Sequence, residues 1–498
     1  MKVSNNVLYR ELGLNIKQMK EIFTNSTDVI FRTFHVEDRN ANLIYVDGLV
    51  NTSDIQNHVL HEIIKKKHVP NVTFEDLEQE VISLSDIKES NTFDEIVSFI
   101  LDGNAVVLID QYDKALVLPV SKFETRSISE PESESAIRGP REGFIENIRV
   151  NTSLVRRKIK TPNLKISSKK LGEQTQTSVE IAYIDGIVDK KVLEEVENRL
   201  NRIEIDGILE TGYIEELIED NPWSLFPQIQ ISERPDTVAA NLLEGRIALF
   251  VDGTPFVMVL PATFWQQFQA SEDYYDRFYI AIFLRIIRFL FLAIALTLPA
   301  LYVATTTYHH EMIPTKLLLS IAASREAIPF PAIVEAFIME ISFEALREAG
   351  VRLPKTIGMA VSILGALVIG SAAVEAGIVS APMVIVVSLT GIASFTIPKF
   401  SLAIAVRLLR FPLMILGAIF GMLGIVIGMV LIVAHLCKMR SFGVPYFEPL
   451  APMKLSQLKD VFIRVPIWMY EKRPSDFVKS NVRKQSDHLK PSPSQQQE

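Results

Sequence analysis

The stretch FYIAIFLRIIRFLFLAIALTLPALYVAT, Phe278 to Thr305, divides the chain into two chemically different halves. It is apolar over more than the roughly 17 to 25 residues a helix needs to cross a bilayer. Pro299 within it is tolerable, because neighbouring helices can satisfy the backbone groups it frees. Upstream, Met1 to Gln269 mixes charged and apolar residues as soluble domains do. Downstream, Thr356–Gly377, Ile378–Pro398 and Phe411–Cys437 are predicted as further spans, the first two joined as a tight helical hairpin. The predicted fold is therefore an α/β (or α+β) duplicated soluble half, followed by an all-α transmembrane bundle and a soluble tail, residues 438–498.

The soluble half repeats itself. Leu43-Ile44-Tyr45-Val46-Asp47-Gly48-Leu49-Val50 matches Ile181-Ala182-Tyr183-Ile184-Asp185-Gly186-Ile187-Val188. Each is a short apolar run closed by Asp-Gly, the pattern of a buried strand ending in a turn. Helical periodicity follows, at Asp54–Lys67 and Lys190–Leu200. Further on, Gly103–Asp110 matches Gly245–Asp252, and Ala115–Pro119 matches Val257–Pro261, each pair forming a predicted hairpin. Two similar subdomains are expected, at 1–124 and 166–270. Between them, 125–165 interleaves Arg126, Arg138, Arg141, Arg149, Arg156 and Arg157 with glutamates. Arg126, Arg138 and Arg141 are candidates for a subunit interface, against the alternative of a solvated linker.

A net charge of −8 argues against nucleic-acid binding. The single cysteine, Cys437, allows neither an intrachain disulfide nor a Cys-based zinc site. No phosphate-binding loop or nucleophile elbow is present, so neither enzyme chemistry nor a cofactor or metal is implied. His58 and His61 read as surface histidines, and His309-His310-Glu311 as an interfacial loop. Asp47, Asp110, Asp185 and Asp252 read as turn caps. Met1 to Asn15 has no apolar core of signal-peptide length, and Arg277, Arg285 and Arg288 edge the first span. A cytoplasmic N-terminal half is expected.

Between the first two spans, residues 330–350 are amphipathic. Glu340, Glu344 and Glu348 recur at i, i+4, i+8 beside Arg347. Such a helix can lie at the interface, dip in as a re-entrant element, or cross facing a watery cavity. Gly358, Ser362, Ala366 and Gly370 form a small-residue face on the second span, and Gly417/Gly421 with Gly424/Gly428 make two pairs on the fourth. Both favour close helix packing. Glu340, Glu344 and Glu375 are candidate pore carboxylates, with Gly358, Ser362 and Gly365 as candidate gating positions. The alternative is that the acids pair with Arg347, Arg352 or Lys355. Four spans return the C-terminus to the starting side, and five reverse it.

Several blocks carry a family resemblance: Thr125–Pro131, Arg138-Gly139-Pro140, Phe144-Ile145-Glu146, Leu217–Asn221, Phe226–Gln230 and Glu233-Arg234-Pro235-Asp236 in the soluble half. Pro329-Phe330-Pro331, Leu346–Gly350, Leu353-Pro354, Ala393–Pro398 and Ser441–Phe447 follow in the membrane half. From about Asn42 to Pro466 the chain resembles the A subunits of spore germinant receptors, the GerA type. That resemblance implies a protein of the spore inner membrane, with its N-terminal half facing the core. It also implies a homo-oligomeric, germinant-gated ion channel that starts germination, partnered by a B subunit and a lipoprotein C subunit. A secondary transporter or a passive membrane scaffold is the alternative.

Overall fold

The computed structural model describes residues 6–36, 39–62, 84, 87–122, 130–131, 133–134, 136–353, 365, 370–474, 477–479, 481–486 and 489–491. Helix α1 (Leu12–Ile22) leads into β1 (Val29–Val36) and β2 (Arg39–Val46). After a helical stretch at 52–62 come β3 (Lys88–Ser90), α2 (Phe93–Leu101), β4 (Ala105–Ile109) and β5 (Ala115–Leu118). The strands form one antiparallel sheet in the order β1-β2-β4-β5-β3. Every residue of β4 and β5 is buried, because both faces are covered. Val106 and Leu108 pack with α1 and α2, while Val107 and Ile109 pack with Ile55 and Val59 on the opposite face, following the two-residue period of a strand.

The second unit contains α3 (Ile148–Lys158), β6 (Leu164–Leu171), β7 (Thr177–Ile184), α4 (Lys190–Asn201), α5 (Thr211–Ile218), β8 (Gln230–Ser232), α6 (Pro235–Leu243), β9 (Ile247–Val251) and β10 (Val257–Leu260). Its sheet runs β6-β7-β9-β10-β8, the order of the first unit. The equivalence extends to side chains. Asn15 accepts from Tyr9 N at 2.8 Å and donates to Tyr9 O at 2.6 Å, and Asn151 makes the same pair with Ile145 at 2.8 and 2.5 Å. Asp110 accepts from Leu12 N at 3.0 Å and Asp252 from Ile148 N at 3.3 Å. These strand-end aspartates thus cap the opening helix of each unit, where a carboxylate also meets the positive helix end. Asp47 and Asp185 do precede turns, and Gly48 (φ +86°) and Gly186 (φ +79°) take the left-handed conformation there.

The second unit therefore begins with α3, inside the segment expected to be a connector. Ile148, Leu154 and Val155 of α3 belong to its core. β1 and β6 escaped the sequence pattern because each is only partly buried and carries polar residues between its apolar ones. The two units are locked together by a buried ion pair. Arg156 reaches Asp28 through Nε at 3.0 Å and Nη2 at 2.9 and 2.8 Å. Thr27 N donates to Ile166 O at 2.9 Å and Ile166 N to Asn25 O at 3.1 Å, extending the second sheet at its β6 edge.

The helical half contains α7 (Phe278–Thr307), α8 (Thr315–Arg325), α9 (Ala332–Arg352), α10 (Ala381–Ser394) and α11 (Phe400–Lys438). By length and composition α7 and α11 can cross a membrane, but α11 is not one rod. Gly421 has φ 62° and ψ −142°. Leu413 and Leu416 side chains lie against Gly428, and Ile425 lies against Gly417. In a straight helix residues 413 and 428 would be about 22 Å apart. α11 is a hairpin of two arms, 400–420 and 422–438, about 31 and 25 Å long. The backbone groups freed at its apex are satisfied from the end of α7. Tyr308 Oη donates to Ala418 O at 2.9 Å, and Met422 N donates to His309 Nε2 at 3.3 Å.

This corrects the expected continuous span Phe411–Cys437, since an apolar rod and an apolar hairpin share one composition. The expected span Ile378–Pro398 is the 14-residue α10, about 21 Å long. The expected amphipathic helix at 330–350 is α9. Most of Thr356–Gly377 lies outside the described residues, with Gly365 and residues 370–375 helical. Beyond α11, the hairpin of β11 (Arg440–Ser441) and β12 (Val444–Pro445) leads into a tail that returns to the second unit. Phe477 and Val478 join that unit's core, and Arg246 stacks on the Phe477 ring at 4.1 Å.

Candidate functional site

Sequence blocks far apart in the chain meet where the second sheet faces the helices. Tyr446 Oη donates to Pro227 O at 2.6 Å, and Ser441 Oγ donates to Gln228 O at 2.7 Å. Arg234 Nη2 donates to Pro140 O at 2.9 Å and pairs with Asp236 at 2.8 Å. Burial opposes ionisation of Asp236, but hydrogen bonds from Arg234 and Tyr275 outweigh it and hold the carboxyl below its ordinary range. Glu134 accepts from Ser232 Oγ at 2.6 Å and pairs with Lys399, just before α11. One carboxylate therefore ties the second sheet to the helical hairpin.

The root of α7 is held by a second charged knot. Arg285 Nε lies 3.1 Å and Arg288 Nη1 2.7 Å from the fully buried Asp273. Arg285 Nη1 also reaches Asp460 at 2.8 Å, which accepts from Tyr274 Oη at 2.7 Å and Tyr470 Oη at 2.8 Å. Two arginines on an apolar helix are compatible with burial only because each is matched by acids from outside the helix.

A third cluster lies inside the bundle. Glu340 of α9 is buried and pairs with Arg410 of α11. Glu344 accepts from Arg407 at 3.0 Å and from Arg347 at 3.3 Å. Arg347 Nη2 donates to Ser394 Oγ at 3.0 Å, and its guanidinium lies over the Phe395 ring at 4.7 Å. Nearer the end remote from the sheets, Glu335 accepts from Arg325 Nε at 3.1 Å and from Ser380 N at 2.9 Å. Between the second unit and these helices lies a cavity of about 820 Å³, with Arg234, Gln266, Arg288, Arg347 and Arg407 in its wall.

Residues 17–476 match the family model described as Bacillus/Clostridium GerA spore germination protein. The chain belongs to the GerA family. It is 51% identical over 480 residues to the uncharacterized membrane protein YfkQ of Bacillus subtilis (strain 168), covering 95% of this chain and 94% of that one. Spore germination protein KA of the same organism is 47% identical over 486 residues, covering 97% and 89%. Spore germination protein GerLA of Bacillus cereus is 39% identical over 434 residues, covering 87% and 88%. The crystal structure of the N-terminal domain of the A subunit of the Bacillus megaterium spore germinant receptor GerK3 matches at 34% identity and a TM-score of 0.42, covering 53% of this chain and 99% of that one.

In this GerA-family chain, Glu340 and Glu344 lie together in the bundle cluster, while Glu375 is exposed and belongs to the opposite end, near Ser380. A Cβ on Gly365 would sit 2.3 Å from Leu346 Cδ2, so that glycine packs on α9. Gly358, Ser362 and Arg126 lie outside the described residues. Arg138 pairs with Asp276 at 3.4 Å and Arg141 with Glu130 at 3.0 Å, both within the chain and largely exposed. The acids' partners that sequence reading missed are Arg407 and Arg410. Two arginines at i, i+3 opening an otherwise apolar helix were the available signal, but they fitted equally well as residues of a cytoplasmic loop.

Proposed function

We propose that this GerA-family protein is the A subunit of a spore germinant receptor in the spore inner membrane, partnered by a B subunit and a lipoprotein C subunit. The helices alternate in direction relative to the sheets. α7 leads away, α9 returns, the stretch through Gly365 and 370–375 leads away, α10 returns, and the arms of α11 go out and back. Six passes leave the tail on the side of the sheets, in keeping with Phe477 and Val478 in the second unit's core. On this reading the sheets and tail face the spore core.

The observation that carries the proposal is the charged path from the second sheet into the bundle. Glu134 and Lys399 share the cavity wall with Arg347 and Arg407, which meet at Glu344, and Glu340 and Arg410 pair one turn further along the same two helices. A change in the soluble units can reach α9 and α11 through this path. Copies of the chain then oligomerise around an axis into a cation channel, with the exposed acids Glu344 and Glu375 at opposite mouths and the small residues Gly358, Ser362 and Gly365 as the gate. The test is the conductance of the purified protein in a planar bilayer. Glu344→Gln with Glu375→Gln should lower cation flux, and wild-type flux from a normally folded double variant would remove the pore assignment. The scaffold reading gains support from the pairing of Glu340 and Glu344 within one chain. It predicts zero conductance in the same bilayer.

A further inference from the structure

Two guanidiniums in the wall of the junction cavity depend on a single carboxylate. Arg347 and Arg407 share one carboxylate, Glu344, while Arg410 has Glu340 to itself. Within this cluster three guanidiniums meet two carboxylates (3 − 2 = 1), a local excess offset at the root of α7, where Asp273, Asp460 and Glu272 meet Arg285 and Arg288; a guanidinium cannot shed its proton. The acids that line the cavity among the described residues each have a partner of their own, Asp236 in Arg234, Glu134 in Lys399, Asp460 in Arg285, Glu272 in Arg288 and Glu244 in Lys484. The Arg347 and Arg407 side chains are only 12% and 10% exposed, respectively, yet the Nε of each has no hydrogen-bond partner among the described residues. Arg347 is also held against the Phe343 and Phe395 rings at 5.1 and 4.7 Å. Buried charged donors without an acceptor are destabilising, and these two are fixed side by side.

The same cavity is also lined by apolar side chains, Leu284 and Ile287 of α7 and Ala403 of α11, one turn from Arg407. Their neighbours in sequence, Phe283 and Ile404, are exposed on the outside of the same two helices. An anion with an apolar extension satisfies both the guanidiniums and these apolar side chains. We propose that the cavity binds the headgroup of an anionic phospholipid, its phosphate on Arg347 and Arg407 and its acyl chains along Leu284, Ile287 and Ala403. The proposal rests on the membrane placement given above. Arginine suits a phosphate through paired, charge-assisted N–H donors. Inorganic phosphate offers the same anion chemistry but leaves the apolar side chains uncovered. Such a lipid would bridge α9 to α7 and α11 at the point where the second sheet grips the helices, making that coupling depend on membrane composition.

The experiment uses the full-length protein reconstituted in phosphatidylcholine vesicles with or without phosphatidylglycerol. Lipid retained after extraction is counted by native mass spectrometry, and the thermal midpoint is measured in parallel. Wild type should retain phosphatidylglycerol over phosphatidylcholine and melt higher in its presence. Arg407→Gln, and the cavity-filling Ala403→Phe with all charges kept, should each lower that retention about tenfold, the loss of one charge-assisted contact. Equal retention of the two lipids by wild type overturns the site, whether or not the variants fold. Unchanged retention in both folded variants also overturns it. Stabilisation by inorganic phosphate alone, equal to that of phosphatidylglycerol, assigns the arginines to a soluble anion and refutes the lipid. Alkaline carbonate stripping the protein from the vesicles refutes the membrane placement and the site with it, a failure distinguishable from the others.

Discussion

Asp28→Ala should loosen the two soluble units from each other, and the size of the effect follows from burial. Arg156 is 0% and Asp28 2% exposed, and three N–H···O contacts of 2.8 to 3.0 Å join them. Without the carboxylate the guanidinium stays buried with backbone acceptors alone, Leu164 O at 2.8 Å and Thr161 O at 3.5 Å. Breaking a buried pair from one side costs about 3 to 5 kcal/mol. At about 1.4 kcal/mol per factor of ten, local opening rises by roughly a hundred- to several-thousand-fold. The Thr27 and Ile166 amides, bonded across the same boundary, report that opening by hydrogen exchange of the full-length protein. The apolar double replacement Asp28→Leu with Arg156→Met should recover most of the protection, because the unpaired charge goes with its partner. Exchange at Thr27 and Ile166 within about threefold of wild type in Asp28→Ala would refute this account of the lock.

Glu180 gives a pH test. Burial, only partly offset by Arg149 at 2.8 Å and reinforced by Asp28, Asp47 and Asp252, pushes its carboxyl from 4.5 up to about 7. The folded state therefore holds this proton more tightly than the unfolded chain. Its contribution is complete below pH 4.5 and is lost as the pH rises through about 7. Glu180→Gln should flatten the thermal midpoint across that window, and an unchanged slope in a melting series would refute it. At the hairpin apex, Gly421→Ala places a Cβ 2.8 Å from His309 Nε2 in a conformation with φ +62°. It should cost about 1 to 3 kcal/mol, read as a lower midpoint in detergent, and a neutral result would argue for a continuous helix. Gly365→Leu should destabilise the α9 contact by about 1 to 3 kcal/mol through overpacking, with wild-type stability as the refuting outcome. Charge reversal at Arg138 and Arg141 should leave the midpoint within about 0.5 kcal/mol of wild type, as exposed pairs do, while lowering receptor assembly in spore membranes. Unchanged complex yield would refute the interface.

The sequence alone determined the division at Phe278, the doubled Asp-Gly strands and hairpins, and the charged helix around Glu340, because each is a local pattern of hydropathy or turn chemistry. Ile181–Val188 and Gly245–Asp252 could be matched to their counterparts since buried central strands must stay apolar. The edge strands β1 and β6 are only partly buried, so polar residues interrupt their apolar positions and the pattern weakens. Long-range pairing was likewise invisible. Asp28 finds Arg156, and Glu340 finds Arg410, across distances in the chain that periodicity does not span. The fold-back at Gly421 is the clearest case. Residues 400–438 have the composition of one long apolar helix, and hydropathy is the same for a rod and for a hairpin of two arms. Only the tertiary structure decides, by putting Leu413 against Gly428 and by bringing Tyr308 and His309 to the backbone groups that the break sets free.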